Sequence, residues 1–223
     1  EIGSGLVGSE MCIRDRFDAQ LIIMDVVPWM LPYYEASGIQ FEIEDNRDYM
    51  DYTFTPEQFL AGMDMQDDRY RYNYFKRRFA YETEEITPLH REEIREFMER
   101  EWCGEKTCEE CHCGCLLRVI DNLVPVFDKI RINGILVRVE GKMAGLCIVS
   151  CRNGLGVYQY KNAVNRIKGI NEYLLRESFE RYLQSADTIN YTEDMGVENL
   201  RYYKEHMAPA HTLLSKLTLT ERG

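Results

Sequence analysis

Two apolar segments, Ile132 to Val139 and Met143 to Ser150, flank the tripeptide Glu140-Gly141-Lys142. This feature constrains the fold most. Both segments have strand length, and Gly141 can take the positive φ that a tight hairpin turn requires. The neighbouring segments extend the pattern. Tyr81 to Ile86 reads as a strand, and Thr87-Pro88 caps a helix carrying Ile94, Phe97, Met98 and Trp102 at helical spacing. A second helix carries Leu116, Ile120, Leu123, Val124 and Phe127. After the hairpin come a strand at Gly156 to Tyr160, a long helix from Ile167 to Leu183, and a strand at Thr188 to Tyr191. A helix from Val197 to His206 and a strand near Leu213 to Leu219 close the series. Strands in a meander flanked by helices predict an α+β, mixed α/β layered fold.

The earlier residues predict a separate part. Leu21 to Val27 (LIIMDVV) suits a buried strand, and Pro28 opens a helix that ends near Gly38. Phe41 to Phe54 alternates as a strand with a turn near Asn46, and Thr55-Pro56-Glu57 is a helix start. The opening EIGSGLVGSEMCIRDR lacks a sustained period and resembles a translated sequencing adapter. Residues 1–16 are therefore expected to be a non-native extension.

The chain has 223 residues, a formal charge of −11 and a hydrophobic fraction of 45%, which predicts a globular core and argues against a broad DNA-binding surface. The basic residues Arg69, Arg71, Lys76, Arg77 and Arg78 lie together among aromatics and read as a solvated helix face. The longest apolar run, Leu21 to Met30, is broken by Asp25 and Pro28 and is too short to span a bilayer. A cytoplasmic protein is expected. Of eight cysteines, five lie in CGEKTCEECHCGC, residues 103–115. That stretch has half of a zinc site but no second ligand pair at knuckle spacing, so no metal is assigned. Cys147 and Cys151 read as core residues of a strand.

Two segments carry candidate chemistry. Arg166, Lys168 and Gly169 precede the long helix, where backbone N–H groups and positive charge can hold a phosphate. Asn171 follows in the same stretch. The second segment, NYTEDMGVENLRYYKEHMAP, places Glu193 and Asp194 between a strand and a helix. A carboxylate there either caps the helix or takes a proton from an attacking amine or hydroxyl. Arg201 and Lys204 share a helix face and can hold an anion or an oxyanion.

The element order resembles the GNAT acyltransferase fold. The second segment also resembles the signature of the phosphatidylglycerol lysyltransferase C-terminal domain family, a group with tandem GNAT-like halves. The matching residues are Asn190, Glu193, Asp194, Gly196, Leu200, Arg201, Lys204 and Pro209. EDNRDYMDY (44–52), Trp102-Cys103, NGILVRVEGKMAG (133–145), and Lys161, Ala163 and Gly169 resemble further parts of that family. YRYNYFKRRF (70–79) keeps the family's basic-aromatic character without its clean motif.

The resemblance implies a GNAT-like fold. Residues 17–80 would form the C-terminal part of a first half, and residues 81–223 a complete second domain. It also implies acyl or aminoacyl transfer, from an unidentified donor such as acyl-CoA or aminoacyl-tRNA, to an amine or hydroxyl acceptor. Named lysyltransferases use a membrane phospholipid as acceptor; that substrate is not carried over. In this reading Glu193, Asp194 and Lys204 are catalytic. Lys161, Arg166, Lys168, Gly169, Asn190 and Arg201 bind the donor, with Glu193 or Asp194 as base and Arg201 and Lys204 as anion holders. The acidic corner would lie beside the transfer cleft, next to the phosphate loop. The alternative is a non-catalytic GNAT-like module binding a nucleotide, a tRNA end or a peptide.

Overall fold

The computed structural model describes residues 22–103, 114–207 and 212–221. They fall into two compact units interleaved along the chain. One comprises the residues up to Tyr52, Glu193–Tyr202 and those from Leu213 onward; the other comprises Thr53–Thr192 and Tyr203–Thr212.

The first unit is built on a three-stranded antiparallel sheet. Strand β10 (Leu217–Glu221) runs between β1 (Ile22–Val26) and β2 (Phe41–Asp45). Leu219 sits opposite Ile23 on one side and Ile43 on the other. Alternation sends Leu217 and Leu219 to one face, where they join Val26 in a small core. Met30, Leu31, Tyr34 and Phe41 pack against it, from the turn at Pro28–Met30, helix α1 (Leu31–Glu35) and β2. The strand expected at 21–27 is present but is buried on one face alone: Val26 is buried, whereas Ile22 is 56% and Met24 54% exposed. Among the described residues the core of this unit gathers at one face of the sheet, and both side chains point away from it. The C-terminal strand expected near 213–219 is two strands, β9 (Thr212–Leu214) and β10, separated by Ser215-Lys216.

The second unit holds the predicted hairpin. Strands β5 (Asn133–Val139) and β6 (Lys142–Arg152) are joined through Glu140 and Gly141, both at positive φ. That is the geometry of a two-residue turn matched to strand twist. The strands run β4 (Tyr81–Glu85), β5, β6, β7 (Leu155–Ala163), β8 (Thr188–Asn190), β3 (Asp51–Phe54) in spatial order. Every neighbouring pair is antiparallel except β7 and β8, which are parallel and connected through helix α6 (Ile170–Ser178). Helix α6 begins three residues later than the sequence predicts, because Gly169 takes φ 88 ahead of it; a π turn, Phe179–Leu183, extends it.

Helix α2 (Pro56–Met63) starts at Thr55, whose hydroxyl accepts from the Gln58 amide while the Gln58 side chain accepts from the Thr55 amide. Helix α3 (Gln66–Arg78) packs on α6, and α6 packs on β5, β6 and β7. A Cβ on Gly145 of β6 would meet Leu174 of α6, so that face of the sheet lies under α6. On the opposite face Leu146 and Ile148 are fully buried, and helix α4 (Arg91–Met98) packs against β6. Both faces are covered, which accounts for the nearly continuous apolar run of β6. Helix α5 (Gly114–Leu123) completes this unit's described helices, apart from α7 (Glu198–Met207), whose residues divide between the units after Tyr202. Cys147 is buried as expected, whereas Cys151 is only half-buried. The segment 104–113, with most of the cysteine cluster, lies outside the described residues. No described helix is long and apolar enough to cross a membrane.

Candidate active site

Strands β7 and β8 pair only at Leu155–Thr188, Gly156–Ile189 and Val157–Asn190. Past that point β7 continues to Ala163 without this partner. At the parting, β7 also carries an extra residue. Its register with β6 slips between Tyr158 and Tyr160, leaving Gln159 as a bulge. A crevice beyond the carboxyl ends of diverging parallel strands is where layered α/β sheets hold ligands. An aromatic cluster lies next to the parting: the Phe59 ring stacks on Tyr158 at 5.3 Å and meets Tyr191 edge-on at 5.7 Å.

Charged groups of β7, α3 and α6 cluster within the second unit. The Lys161 ammonium of β7 donates to Asn171 Oδ1 at 2.8 Å. Burial lowers its pKa, against the pull of Cys147, Glu172 and Asp68. Glu172, in the first turn of α6, is buried and paired with Arg71 at 3.2 Å. Asp68, in the first turn of α3, is half-buried; burial and the adjacent Glu172 push its carboxyl up to about 6. Asp68, Glu172, Tyr72, Arg176 and Tyr203 line one cavity of about 10 Å³, room for a single water. The Tyr203 hydroxyl is held well above its usual pKa by burial and so keeps its proton at neutral pH. Asp68 was not among the residues singled out from sequence. Asp67-Asp68 at a helix start reads as a dipole-favoured pair, and the partner that changes its chemistry lies about a hundred residues away.

The residues expected to form the site divide between the units. Lys161, Arg166, Lys168, Gly169, Asn190 and Lys204 lie in the second, and Glu193, Asp194 and Arg201 in the first. Asn190 Oδ1 accepts from the Thr192 amide at 2.7 Å. Buried Lys204 donates to the Tyr191 and Thr192 carbonyls at 2.5 and 3.2 Å, and its ammonium lies 4.6 Å over the Tyr191 ring. The two residues fix the turn that follows β8, where Thr192 takes φ 56.

In the first unit Asp194 is fully buried. Arg201 grips both of its oxygens, at 3.0 and 2.8 Å, while Arg47 and Tyr52 donate to Oδ2 at 3.0 and 2.7 Å and the Gly196 amide to Oδ1 at 2.9 Å. Burial alone would raise its pKa, but the bonds from Arg201, Tyr52 and Gly196 outweigh it and hold the carboxyl below the usual range. Glu193 pairs with Lys216 at 3.3 Å, and the same ammonium meets Asp51 at 2.8 Å.

The turn ahead of α6 was expected to hold a phosphate. A Cβ on Gly169 would lie 2.1 Å from the Arg71 carbonyl oxygen, so the close approach this glycine permits is to α3. Asn171 is engaged by Lys161, and the first turn of α6 carries the Glu172 carboxylate. The Glu172 carboxylate there would oppose an anion held against that turn. Lys168 lies over the rings of Tyr70 and Tyr74 at 4.8 and 5.2 Å, and Arg166 is largely exposed, 3.9 Å from Glu101.

The family described as phosphatidylglycerol lysyltransferase, C-terminal, matches residues 9–215. The chain belongs to this family. Membership in the phosphatidylglycerol lysyltransferase C-terminal family supports a function of the acyl- or aminoacyl-transferase type. No curated protein matches the chain.

Among solved structures, a conserved protein of unknown function from Bacteroides thetaiotaomicron VPI-5482 aligns with a TM-score of 0.78 at 24% identity, over 98% of this chain and 75% of that one. L-PGS from Bacillus licheniformis aligns at 0.65 and 14%, over 98% and 73%. A tandem GNAT protein from the clavulanic acid biosynthesis pathway aligns at 0.55 and 11%, over 97% and 68%. At these identities the likeness is one of fold. This member of the lysyltransferase family has the GNAT-like fold that its element order predicts.

Proposed function

We propose that the chain transfers an acyl or aminoacyl group to an amine or hydroxyl acceptor at the crevice where β7 and β8 part. One observation carries this reading. Asp68, a carboxyl tuned to about 6, shares a water-sized cavity with the proton-bearing Tyr203 and with Leu175, whose carbonyl accepts from Tyr158 of β7. A base needs a pKa near working pH and a path to the proton it removes. The acceptor's nitrogen or oxygen attacks the donor carbonyl, and its proton passes through one water to the Asp68 carboxylate. The tetrahedral intermediate collapses, the bond to the leaving oxygen or sulfur breaks, and the Tyr203 hydroxyl supplies that atom's proton.

Lys161, beneath Asn171, contributes positive potential toward the developing oxyanion. Lys204 and Asn190 position the turn after β8. Arg166 and Lys168 remain candidates for contact with an anionic donor at the surface. Glu193, Asp194 and Arg201 take positioning roles in this reading, since a carboxylate gripped by two guanidiniums is a poor proton acceptor. We further propose a cytoplasmic setting, and the descent of residues 17–80 and 81–223 from two GNAT-like halves.

The test is a transfer assay with radiolabelled lysyl-tRNA, alanyl-tRNA and acetyl-CoA, each offered phosphatidylglycerol vesicles and small amines. Transfer is expected from an aminoacyl donor. Asp68→Asn should lower it about 100-fold at pH 7.5 with no fall in melting temperature; an Asp68→Asn protein as active as the parent would overturn the assignment. The filled turn at Gly169 favours a second reading, a non-catalytic binding module. Charged tRNA raising the melting temperature without transfer would select it.

A further inference from the structure

A second cavity, of about 230 Å³, opens in the other part of the second unit, between the end of β4 and the start of β5. Its floor is apolar. Ile86 and Phe127 are buried there, and Gly134 leaves them room: a Cβ at Gly134 would lie 2.8 Å from Ile86 Cδ1 and 3.3 Å from Phe127 Cζ. Its charged side chains are acidic. Glu85 and Asp128 both line the cavity, and no Lys, Arg or His does. Glu85 Oε1 accepts from the Tyr182 hydroxyl at 3.1 Å, which orients that carboxylate at the rim. Among the described residues, Asp128 makes no side-chain hydrogen bond or ion pair. Several acidic side chains of this unit are taken up by arginines: Glu84 and Glu93 by Arg138, Asp121 by Arg91, Glu172 by Arg71.

We propose that this cavity binds a small organic cation, a primary alkylammonium group on a short apolar stem. The stem lies against Ile86, Pro88 and Phe127, and the ammonium sits between the Glu85 and Asp128 carboxylates, beside the Tyr182 ring. Unspent carboxylate acceptors supply charge-assisted hydrogen bonds, aromatic faces attract the cation, and the apolar floor takes the methylenes. A carboxylate or phosphate ligand would meet only like charge from the lining side chains. The site is separate from the crevice at β7 and β8 and does not depend on the transfer reading.

The test uses the full chain, 15N-labelled, titrated with n-butylamine, n-butanol and butyrate at neutral pH while backbone amide shifts are followed by NMR. Saturable shifts of the Phe127, Asn133 and Gly134 amides with butylamine, and none with butanol or butyrate, are expected. The double variant Glu85→Gln/Asp128→Asn should bind butylamine at least about tenfold more weakly, as loss of charge-assisted contacts requires. The rest of its spectrum should be unchanged, which shows that it is folded. Equal binding of butanol, undiminished binding by the double variant, or no saturable shift in the parent would each overturn the proposal. Should the double variant misfold, Tyr182→Phe, which frees the Glu85 orientation, is expected to weaken butylamine binding and leave the butanol response flat; unaltered butylamine binding there counts against the site.

Discussion

Asp68 and Asp194 are carboxylates with opposite relations to pH. The Asp68 carboxyl is raised in the folded chain to about 6, above the unfolded value of about 3.9. Its contribution to stability is therefore greatest below the unfolded pKa and is lost as pH rises through the folded one. Asp68→Asn removes that loss. Denaturant unfolding should find the variant about 1–2 kcal/mol more stable than the parent at pH 8, after allowance for residual solvent at a half-buried site. The two should be nearly equal at pH 4; a difference that does not vary with pH would count against the raised pKa. A group held at a cost in stability is a common mark of a working residue.

Asp194 behaves the other way. Its folded pKa is depressed, so its contribution is complete above the unfolded value and drains away as pH falls below it. Asp194→Asn leaves Arg201 and Arg47 facing an amide and should cost about 2–3 kcal/mol at pH 7. The gap should narrow in acid, which a midpoint series from pH 3 to 7 would read.

At the scale of elements, two glycines with similar backbones make a controlled comparison. Gly38 and Gly169 have φ of 78 and 88, but nothing lies within 4 Å of a Cβ at Gly38, whereas the Arg71 carbonyl fills that position at Gly169. Gly38→Ala should cost about 1 kcal/mol for the left-handed conformation alone, and Gly169→Ala roughly 3 kcal/mol or more, as the α3–α6 contact must open. Unfolding midpoints of the two variants check this.

The pair also marks what the sequence could disclose. Local signals were legible: the Glu140-Gly141 turn, the Thr55 cap, and the order of strands and helices that identifies the fold. Signals that depend on distant partners were not. Leu21 to Val27 has the composition of a buried strand, but exposure is decided by which faces of the sheet are covered. Ser215-Lys216 splits the last strand where Lys216 turns to Asp51 and Glu193. Gly169 has the spacing of a phosphate loop, and only the packing of α3 reveals a different neighbour. Asp68 is an ordinary helix-start acid until Glu172 is brought beside it.

At the scale of the molecule, each unit has its own core, and the smaller one depends on a single strand. Leu219 of β10 is 1% exposed and lies between β1 and β2. Leu219→Ala should cost about 2–4 kcal/mol of that unit's stability. Hydrogen exchange should speed up in β1 and β2 while β5 and β6 keep their protection. Equal loss of protection in all four strands would mean that the chain unfolds as one body.

The placement of β10 also bears on how the protein is made. β1 ends at Val26 and its neighbour in the sheet begins at Leu217, so during synthesis at about 5–20 residues per second the first strand waits for roughly ten to forty seconds for the strand it pairs with. Throughout that interval Ile22, Ile23 and Met24 are carried on a nascent segment without the ladder that β10 provides. A ribosome-associated chaperone would find its natural target there, and a pause late in translation would prolong the wait.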